Sequence, residues 1–281
     1  MDRLAGMSSD AIAPATPDLV LAEVDPGAHP GVTDRAAAES DLAATQDELA
    51  DLQERLYAES KAGGTRSILL VVQGMDTSGK GGIMRHVVGA IDPQGVRITG
   101  FKAPTEEERA HDFLWRIRKA LPQPGIVGVF DRSHYEDVLI HRVRGLSTPE
   151  VVEERYGLIA DFERELTDAG TVVRKVMLHI SADEQKQRLM ERLDRPDKHW
   201  KFNPGDIDER MLWDGYQEAY EIAIRRTSTA ECPWYVVPAN HKWYARWAVN
   251  RILLDALRGL DPQWPPADFD VAEQKARLAA T

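Results

Sequence analysis

The run Ser67-Ile68-Leu69-Leu70-Val71-Val72, with Gly74-Met75-Asp76-Thr77-Ser78-Gly79-Lys80-Gly81-Gly82 just beyond it, constrains the fold more than any other part of the chain. An unbroken aliphatic run of this length reads as a strand buried on both faces, which belongs in a parallel sheet covered by helices. The loop after it matches the pattern Gly, four residues, Gly-Lys. In a strand-loop-helix context such glycines let backbone N–H groups converge on phosphate oxygens, and a helix N-terminus adds positive potential. Lys80 then neutralises charge on a transferred group. Gly74, Thr77, Ser78, Gly79, Lys80, Gly81 and Gly82 are therefore the candidate phosphate contacts.

One departure from the usual loop is informative. The position after the lysine is Gly81, where a Ser or Thr hydroxyl would ordinarily hold magnesium. Mg²⁺ takes carboxylates, phosphates and water instead. Asp76 lies inside the loop, and Asp131 closes the apolar run Ile126 to Phe130, which places it at the carboxyl edge of a parallel sheet, where ligands bind. These two aspartates are the candidate metal site, and either could position the acceptor. Arg132 follows into the same crevice with a planar donor suited to phosphate oxygens. Glu136 is a secondary acceptor-side candidate, because a capping box with Ser133 already accounts for it.

Strand and helix signals alternate along the chain. Val96 to Phe101, Ile126 to Phe130, Val172 to Ile180 and Trp234 to Val237 read as further buried strands. Capping-box pairs open the helices between them: Thr105 with Glu108, Ser133 with Glu136, Ser181 with Glu184, Asp206 with Glu209; Thr148-Pro149 does the same with a proline at the first turn. The expectation is an α/β P-loop kinase fold with a five-stranded parallel sheet, helices on both faces and a helical lid. Residues 1–35, rich in Ala, Pro, Gly and Asp without apolar periodicity, read as a flexible acidic tail. Residues 36–62 read as a helix whose Leu42, Leu49, Leu52 and Leu56 pack on the core, 63–262 as the kinase domain with a lid at about 183–210, and 263–281 as a C-terminal tail.

The net charge of -11 would argue against a polyanionic partner, were it evenly spread. Residues 1–56 hold twelve Asp and Glu against three Arg, so the rest of the chain is close to neutral. Arg188, Arg192 and Arg195 share a helical face, and Lys198, His199 and Lys201 follow in a Pro- and Gly-interrupted segment, which suits a mobile cationic flap over a phosphate site. Lys102 and Arg116 could meet an acceptor phosphate. No apolar run approaches the roughly 20 residues of a membrane span. The N-terminus lacks a secretory pattern, so the cytoplasm is the expected compartment. Cys232, the only cysteine, reads as a buried, inert thiol. With no zinc-type cluster and no nucleophile elbow, hydrolase chemistry ranks below phosphotransfer.

Several motifs together resemble the polyphosphate kinase 2 family over roughly residues 60–260: the loop 74–82, Phe101-Lys102-Ala103-Pro104-Thr105, Phe130-Asp131-Arg132-Ser133-His134-Tyr135-Glu136-Asp137, Trp200-Lys201-Phe202-Asn203-Pro204-Gly205-Asp206 and Pro233-Trp234-Tyr235-Val236-Val237-Pro238. The resemblance implies a fold like thymidylate kinase, dependence on Mg²⁺, and phosphoryl transfer between inorganic polyphosphate and an adenine nucleotide, AMP or ADP. It implies that Asp76 and Asp131 organise metal and acceptor, and that Lys80, Arg132, Arg192 and Lys201 contact phosphates. It also implies a homodimer or homotetramer, with neither nucleic acid nor membrane as partner. An ATP-dependent nucleotide or metabolite kinase shares the loop and is the alternative reading.

Overall fold

The computed structural model describes residues 12–281. Strand β1 (Ser67–Gln73) is buried along its whole length. It lies at the centre of a sheet with β2 (Val96–Gly100), β3 (Val127–Asp131), β4 (Thr171–His179) and β5 (Trp234–Pro238). All pairings are parallel and the order is β2-β3-β1-β4-β5. The five expected strands are thus present, with only their ends adjusted. Alternation along β1 builds two cores. Ile68, Leu70 and Val72 pack with helices Arg35–Lys61 and Lys242–Leu260, while Leu69 and Val71 pack on the other face with helices Pro149–Asp168 and Trp213–Thr227. β2, read as a buried strand, is instead a half-exposed edge with Ile98 49% exposed, because it has a neighbour on one side only.

The register carries chemistry to one end of the sheet. Val72 of β1 pairs with Asp131 of β3, and Gln73 with Met177 of β4. The segments after β1 and β3 therefore leave the sheet side by side, and the Arg132 N–H extends the ladder to Val72 O at 3.1 Å.

Helix Arg35–Lys61 is capped by Asp34, which accepts from Ala37 N, and buries Leu49, Leu52 and Leu56; Leu42 packs partly buried against the same core. Asp41 on this helix is buried and accepts from Trp247 Nε1 at 2.6 Å and from Arg251, which locks the helix to Lys242–Leu260. Of the expected flexible tail, residues 1–11 lie outside the described residues. Residues 12–34 differ from that expectation by running along the domain as a strap. Ala15 N donates to Trp234 O, Leu21 N to Glu221 Oε2, Asn240 N to Pro26 O and Tyr244 OH to Pro30 O, with Leu21 itself buried. Such a segment needs no periodicity, because its polar backbone groups are satisfied by the domain rather than by each other. The C-terminal tail contains the helix Val271–Ala279, which buries no residue. No helix of the described residues is long and apolar enough to cross a membrane.

The expected helix starts are partly realised. Thr105 and Glu108 close a complete capping box, and Thr148 accepts from Val151 N with Pro149 at the first turn. Ser181 caps Glu184 N, but the Glu184 carboxylate turns to Arg188 at 2.6 Å. Ser133 accepts from Tyr135 N rather than from Glu136 N. The pair Asp206 and Glu209 forms no cap: the helix Gly205–Arg210 begins before Asp206, and its acids turn to Arg192 and to Arg144 and Tyr216. Where a box fails the acid has found another partner: Glu184 takes Arg188 one turn on in its own helix, Glu136 takes the Gln73 amide, and Asp206 and Glu209 take arginines from other elements.

Candidate active site at the carboxyl end of the sheet

Gly74 leaves β1 at φ +150°, and a Cβ there would sit 2.6 Å from Ser78 Oγ and 2.8 Å from Leu178 O. No other residue fits without moving β4 or folding the loop differently. Gly74→Ala is expected to lower the unfolding free energy by about 2–4 kcal/mol. Urea denaturation checks this, and a change below about 0.5 kcal/mol would contradict so close a fit. Thr77 at φ +65° and Gly79 at φ +115° complete the turn, and the helix Lys80–His86 starts directly from Gly79. Thr77 Oγ1 and Ser78 Oγ are buried with no hydrogen-bond partner in the protein.

The Lys80 ammonium is folded back into the loop, donating to Gly74 O at 2.6 Å and Met75 O at 3.3 Å. Burial pulls its pKa below the usual lysine range; Asp76, Asp131 and Glu136 resist that shift, and Arg132 adds to it. Arg132 adopts φ +64°, a left-handed conformation uncommon for a side-chain-bearing residue. From there its guanidinium reaches Asp76, Nη2 to Oδ1 at 2.9 Å. Burial disfavours its charge, but Glu136 and Asp76 outweigh burial and hold the guanidinium above the ordinary arginine range. Glu136 is held by Gln73 Nε2 at 2.9 Å, so the last residue of β1 positions it. Asp131 ends β3, half-buried, with its backbone oxygen bound to Phe101 N at 3.0 Å.

A cavity of about 230 Å³ opens beside the loop, lined by Asp76, Arg132 and Glu136 but not by Lys80 or Asp131. Gly74, Asp76, Arg132 and Glu136 form one wall, and Asn203 and Asp206 of the lid form another. Arg144, Tyr216 and Tyr220 also line it and were not singled out in the sequence. The tyrosines sit four residues apart on the helix Trp213–Thr227, a spacing that looks like core packing when read alone.

The basic stripe of the lid divides. Arg188 is 5% exposed and is a clamp of the loop: Nη1 donates to Thr77 O and Ser78 O at 2.9 and 3.1 Å, and Nη2 to Ala239 O and Asn240 O at 2.6 and 3.0 Å. Arg192 is tied within the lid to Asp206 Oδ2 at 3.3 Å and Lys201 O at 3.1 Å. Lys201 is exposed over the Trp200 ring, 4.8 Å from its centroid. Lys102 and Arg116 are not brought to the cavity beside the loop. They border a neighbouring cavity of about 360 Å³, where the buried Arg116 donates to Lys102 O at 2.8 Å and lies 3.7 and 3.9 Å from Glu108 and Asp137.

Comparison with known proteins bears on this arrangement. The sequence pattern of Polyphosphate kinase 2 (PPK2) matches residues 32–265. The chain belongs to the polyphosphate kinase 2 family. It is 51% identical over 231 residues to the AMP/ADP-polyphosphate phosphotransferase of Meiothermus ruber, covering 82% of this chain and 85% of that protein. It is 40% identical to the ADP-polyphosphate phosphotransferase of Rhodopseudomonas palustris, covering 77% and 78%. The crystal structure of polyphosphate kinase 2 from Arthrobacter aurescens TC1 superposes with a TM-score of 0.95 at 56% identity, covering 98% of this chain and 97% of that one. The protein is therefore a phosphotransferase with a P-loop kinase fold.

In this PPK2 chain charges of both signs gather beside the loop: Lys80 and Arg132 against Asp76, Asp131 and Glu136. Cations neutralise phosphate oxygens while carboxylates hold a hard divalent ion. Among the described residues no three His, Cys, Asp or Glu side chains converge as a metal cage. With Glu136 held by Gln73, Asp76 in the loop and Asp131 at the end of β3 are carboxylate donors of the kind that suits magnesium when substrate phosphates and water supply its other ligands.

Proposed function

We propose that this chain transfers a phosphoryl group between inorganic polyphosphate and an adenine nucleotide, AMP or ADP. What supports the reading most is the convergence of Lys80, Asp76, Asp131 and Arg132 beside one phosphate-shaped loop, in a chain half identical to a named AMP/ADP-polyphosphate phosphotransferase. A nucleotide phosphate oxygen bonds to the terminal phosphorus of the chain while that phosphorus loses its bridging oxygen, which departs on a chain one phosphate shorter. Lys80 and Arg132 neutralise the oxygens of the group in transit, and the loop residues 74–82 orient it. Asp76 and Asp131 would hold Mg²⁺, which when bound offsets phosphate charge. Glu136 bears on the acceptor from the cavity wall. Lys102 and Arg116, displaced to the neighbouring cavity, are proposed acceptor contacts at a distance from the loop. Arg192 and Lys201 present the lid to polyphosphate. A homodimer or homotetramer is the proposed assembly, to be checked by light scattering, and the cytoplasm the proposed compartment.

A donor and acceptor matrix tests the reading. AMP, ADP, GMP and GDP are incubated with Mg²⁺ and either polyphosphate or a nucleoside triphosphate. Adenine nucleotides should be phosphorylated from polyphosphate, and chelation of Mg²⁺ should stop the reaction. Product formed only from the triphosphate would favour the ATP-dependent kinase instead.

A further inference from the structure

One helix holds the phosphate loop from behind. Gln185 and Arg188 stand three positions apart on the helix Ala182–Asp194, both buried, and both reach the loop backbone. The five N–H donors of Arg188 all find acceptors, in Glu184, Thr77 O, Ser78 O, Ala239 O and Asn240 O. Gln185 is pinned at both ends of its amide. Its Oε1 accepts from Arg210 Nη1 at 3.1 Å, and its Nε2 donates to Asp76 O at 3.2 Å. Arg210 can only donate, so it fixes which way the amide faces and leaves the NH₂ group toward the loop. Arg210 ends the lid helix Gly205–Arg210 and also donates to Ala182 O at 2.5 Å.

Three consecutive loop carbonyls, those of Asp76, Thr77 and Ser78, are therefore drawn toward this helix. A trans peptide is planar and carries its N–H on the side opposite its C=O. The N–H groups of Thr77, Ser78 and Gly79 accordingly point away from the helix. Ser78 N closes the loop on Met75 O at 3.1 Å, but among the described residues Thr77 N and Gly79 N donate to no acceptor in the protein. Two backbone donors turned the same way in a glycine-rich loop form the kind of concavity that receives a phosphate oxygen.

We infer that Gln185 is a positioning residue of the phosphate loop. It holds the Asp76–Thr77 peptide with its N–H turned toward the phosphate, as Arg188 does for the Ser78–Gly79 peptide. Through Arg210 it also ties the loop to the lid, because without Arg210 the amide loses the bond that orients it. Gln185 meets no reacting atom. Its action is on the loop backbone and is the same for any phosphate donor that the loop takes.

Gln185→Glu separates this role from packing: the carboxylate keeps the side-chain length and still accepts from Arg210, but has no proton to give Asp76 O. Calorimetric titration of tripolyphosphate with Mg²⁺, without nucleotide, reads the loop directly, and steady-state kinetics with polyphosphate and ADP read its consequence. Gln185→Glu should raise Kd for tripolyphosphate and lower kcat about tenfold each, the effect of one lost hydrogen bond beside a charged ligand. KM for ADP should move less than about threefold. Arg210→Ala should weaken tripolyphosphate about threefold by itself and add little to Gln185→Glu, since both act through one amide. A urea unfolding curve for each variant shows that it folds. Tripolyphosphate affinity within about twofold of wild type in Gln185→Glu, or equal losses for tripolyphosphate and ADP, would overturn the positioning role. Full additivity of the two variants would overturn the tie to the lid. If the wild-type chain binds tripolyphosphate but passes no phosphoryl group to ADP, the polyphosphate reading falls and the binding comparison still decides the role of Gln185. If it binds no tripolyphosphate, the inference falls.

Discussion

Lys80→Ala is expected to lower kcat for nucleotide phosphorylation on the order of 10³-fold, as removal of a preorganised charge from a developing phosphoryl anion does elsewhere. KM for the nucleotide should change far less, because on the proposed reading the lysine meets the group in transit rather than the base. Lys80 makes two bonds to loop carbonyls, Gly74 O and Met75 O, so the alanine variant must also be shown to fold, by circular dichroism and an unfolding curve. Burial lowers the Lys80 pKa, so its ammonium loses its proton at a lower pH than a surface lysine. Activity should consequently fall on the alkaline side, where the neutral amine no longer offsets phosphate charge. The linkage to stability has the matching sign. A folded-state lysine pKa below the unfolded one means that the unfolded chain binds more protons, so this group's contribution is unfavourable below the folded pKa and is relieved as pH rises through it. Retention of more than about a tenth of wild-type kcat by Lys80→Ala would remove the lysine from the chemistry.

The second large effect concerns stability. Lys175 is wholly buried in β4, and its ammonium lies 2.5 Å from Glu163 Oε2, 2.7 Å from Thr227 O and 3.1 Å from the Tyr135 hydroxyl. That hydroxyl is 2.8 Å from both Glu163 Oε1 and Thr227 Oγ1, and His134 Nε2 is 3.3 Å from the same carboxylate oxygen. Burial alone would raise the Glu163 pKa, but Lys175 and His134 more than offset it and keep the carboxylate ionised. Lys175→Met removes the cation and strands that charge in the core. The expected loss is about 3–5 kcal/mol by urea denaturation. The double variant Lys175→Met with Glu163→Leu, apolar at both positions, should recover much of it, because the desolvation penalty then disappears. A single variant within about 1 kcal/mol of wild type would show that the pair does not hold the fold together. His134 and Tyr135 belong to the turn that carries Glu136 and follows Arg132, so this network anchors one wall of the site from behind.

Neither Lys175 nor Glu163 stood out in the sequence. Glu163 lies in an amphipathic helix full of acids, and Lys175 is a lone cation in a strand read as buried, with nothing in its neighbours to name its partner. They find each other because β4 runs inside the sheet, where no face meets water. The same holds for the lid. Arg188, Arg192 and Arg195 have one spacing and one chemistry, but Arg188 clamps Thr77, Ser78, Ala239 and Asn240, Arg192 answers Asp206, and Arg195 lies exposed beside Asp197. Helical periodicity says that they share a face. It does not say what that face meets.

The loop 74–82, by contrast, was legible because its constraints are local. The strand is apolar on both faces, Gly74 has no room for a side chain, and Gly79 takes a backbone angle that other residues resist. Asp131 and Arg132 were legible for a related reason: a parallel strand ends at the ligand edge wherever it stands in the sheet. The sequence by itself determined the strand set, the phosphate loop and the residues at the ends of β1 and β3, since each depends on neighbours a few positions away. Tertiary structure alone decided that residues 12–34 form a strap, that Lys102 and Arg116 open on a separate cavity, and which arginines have partners. Those outcomes depend on burial and on contacts between residues 200 and more positions apart, as between Leu21 and Glu221 or Pro30 and Tyr244, and short-range pattern carries no information about either.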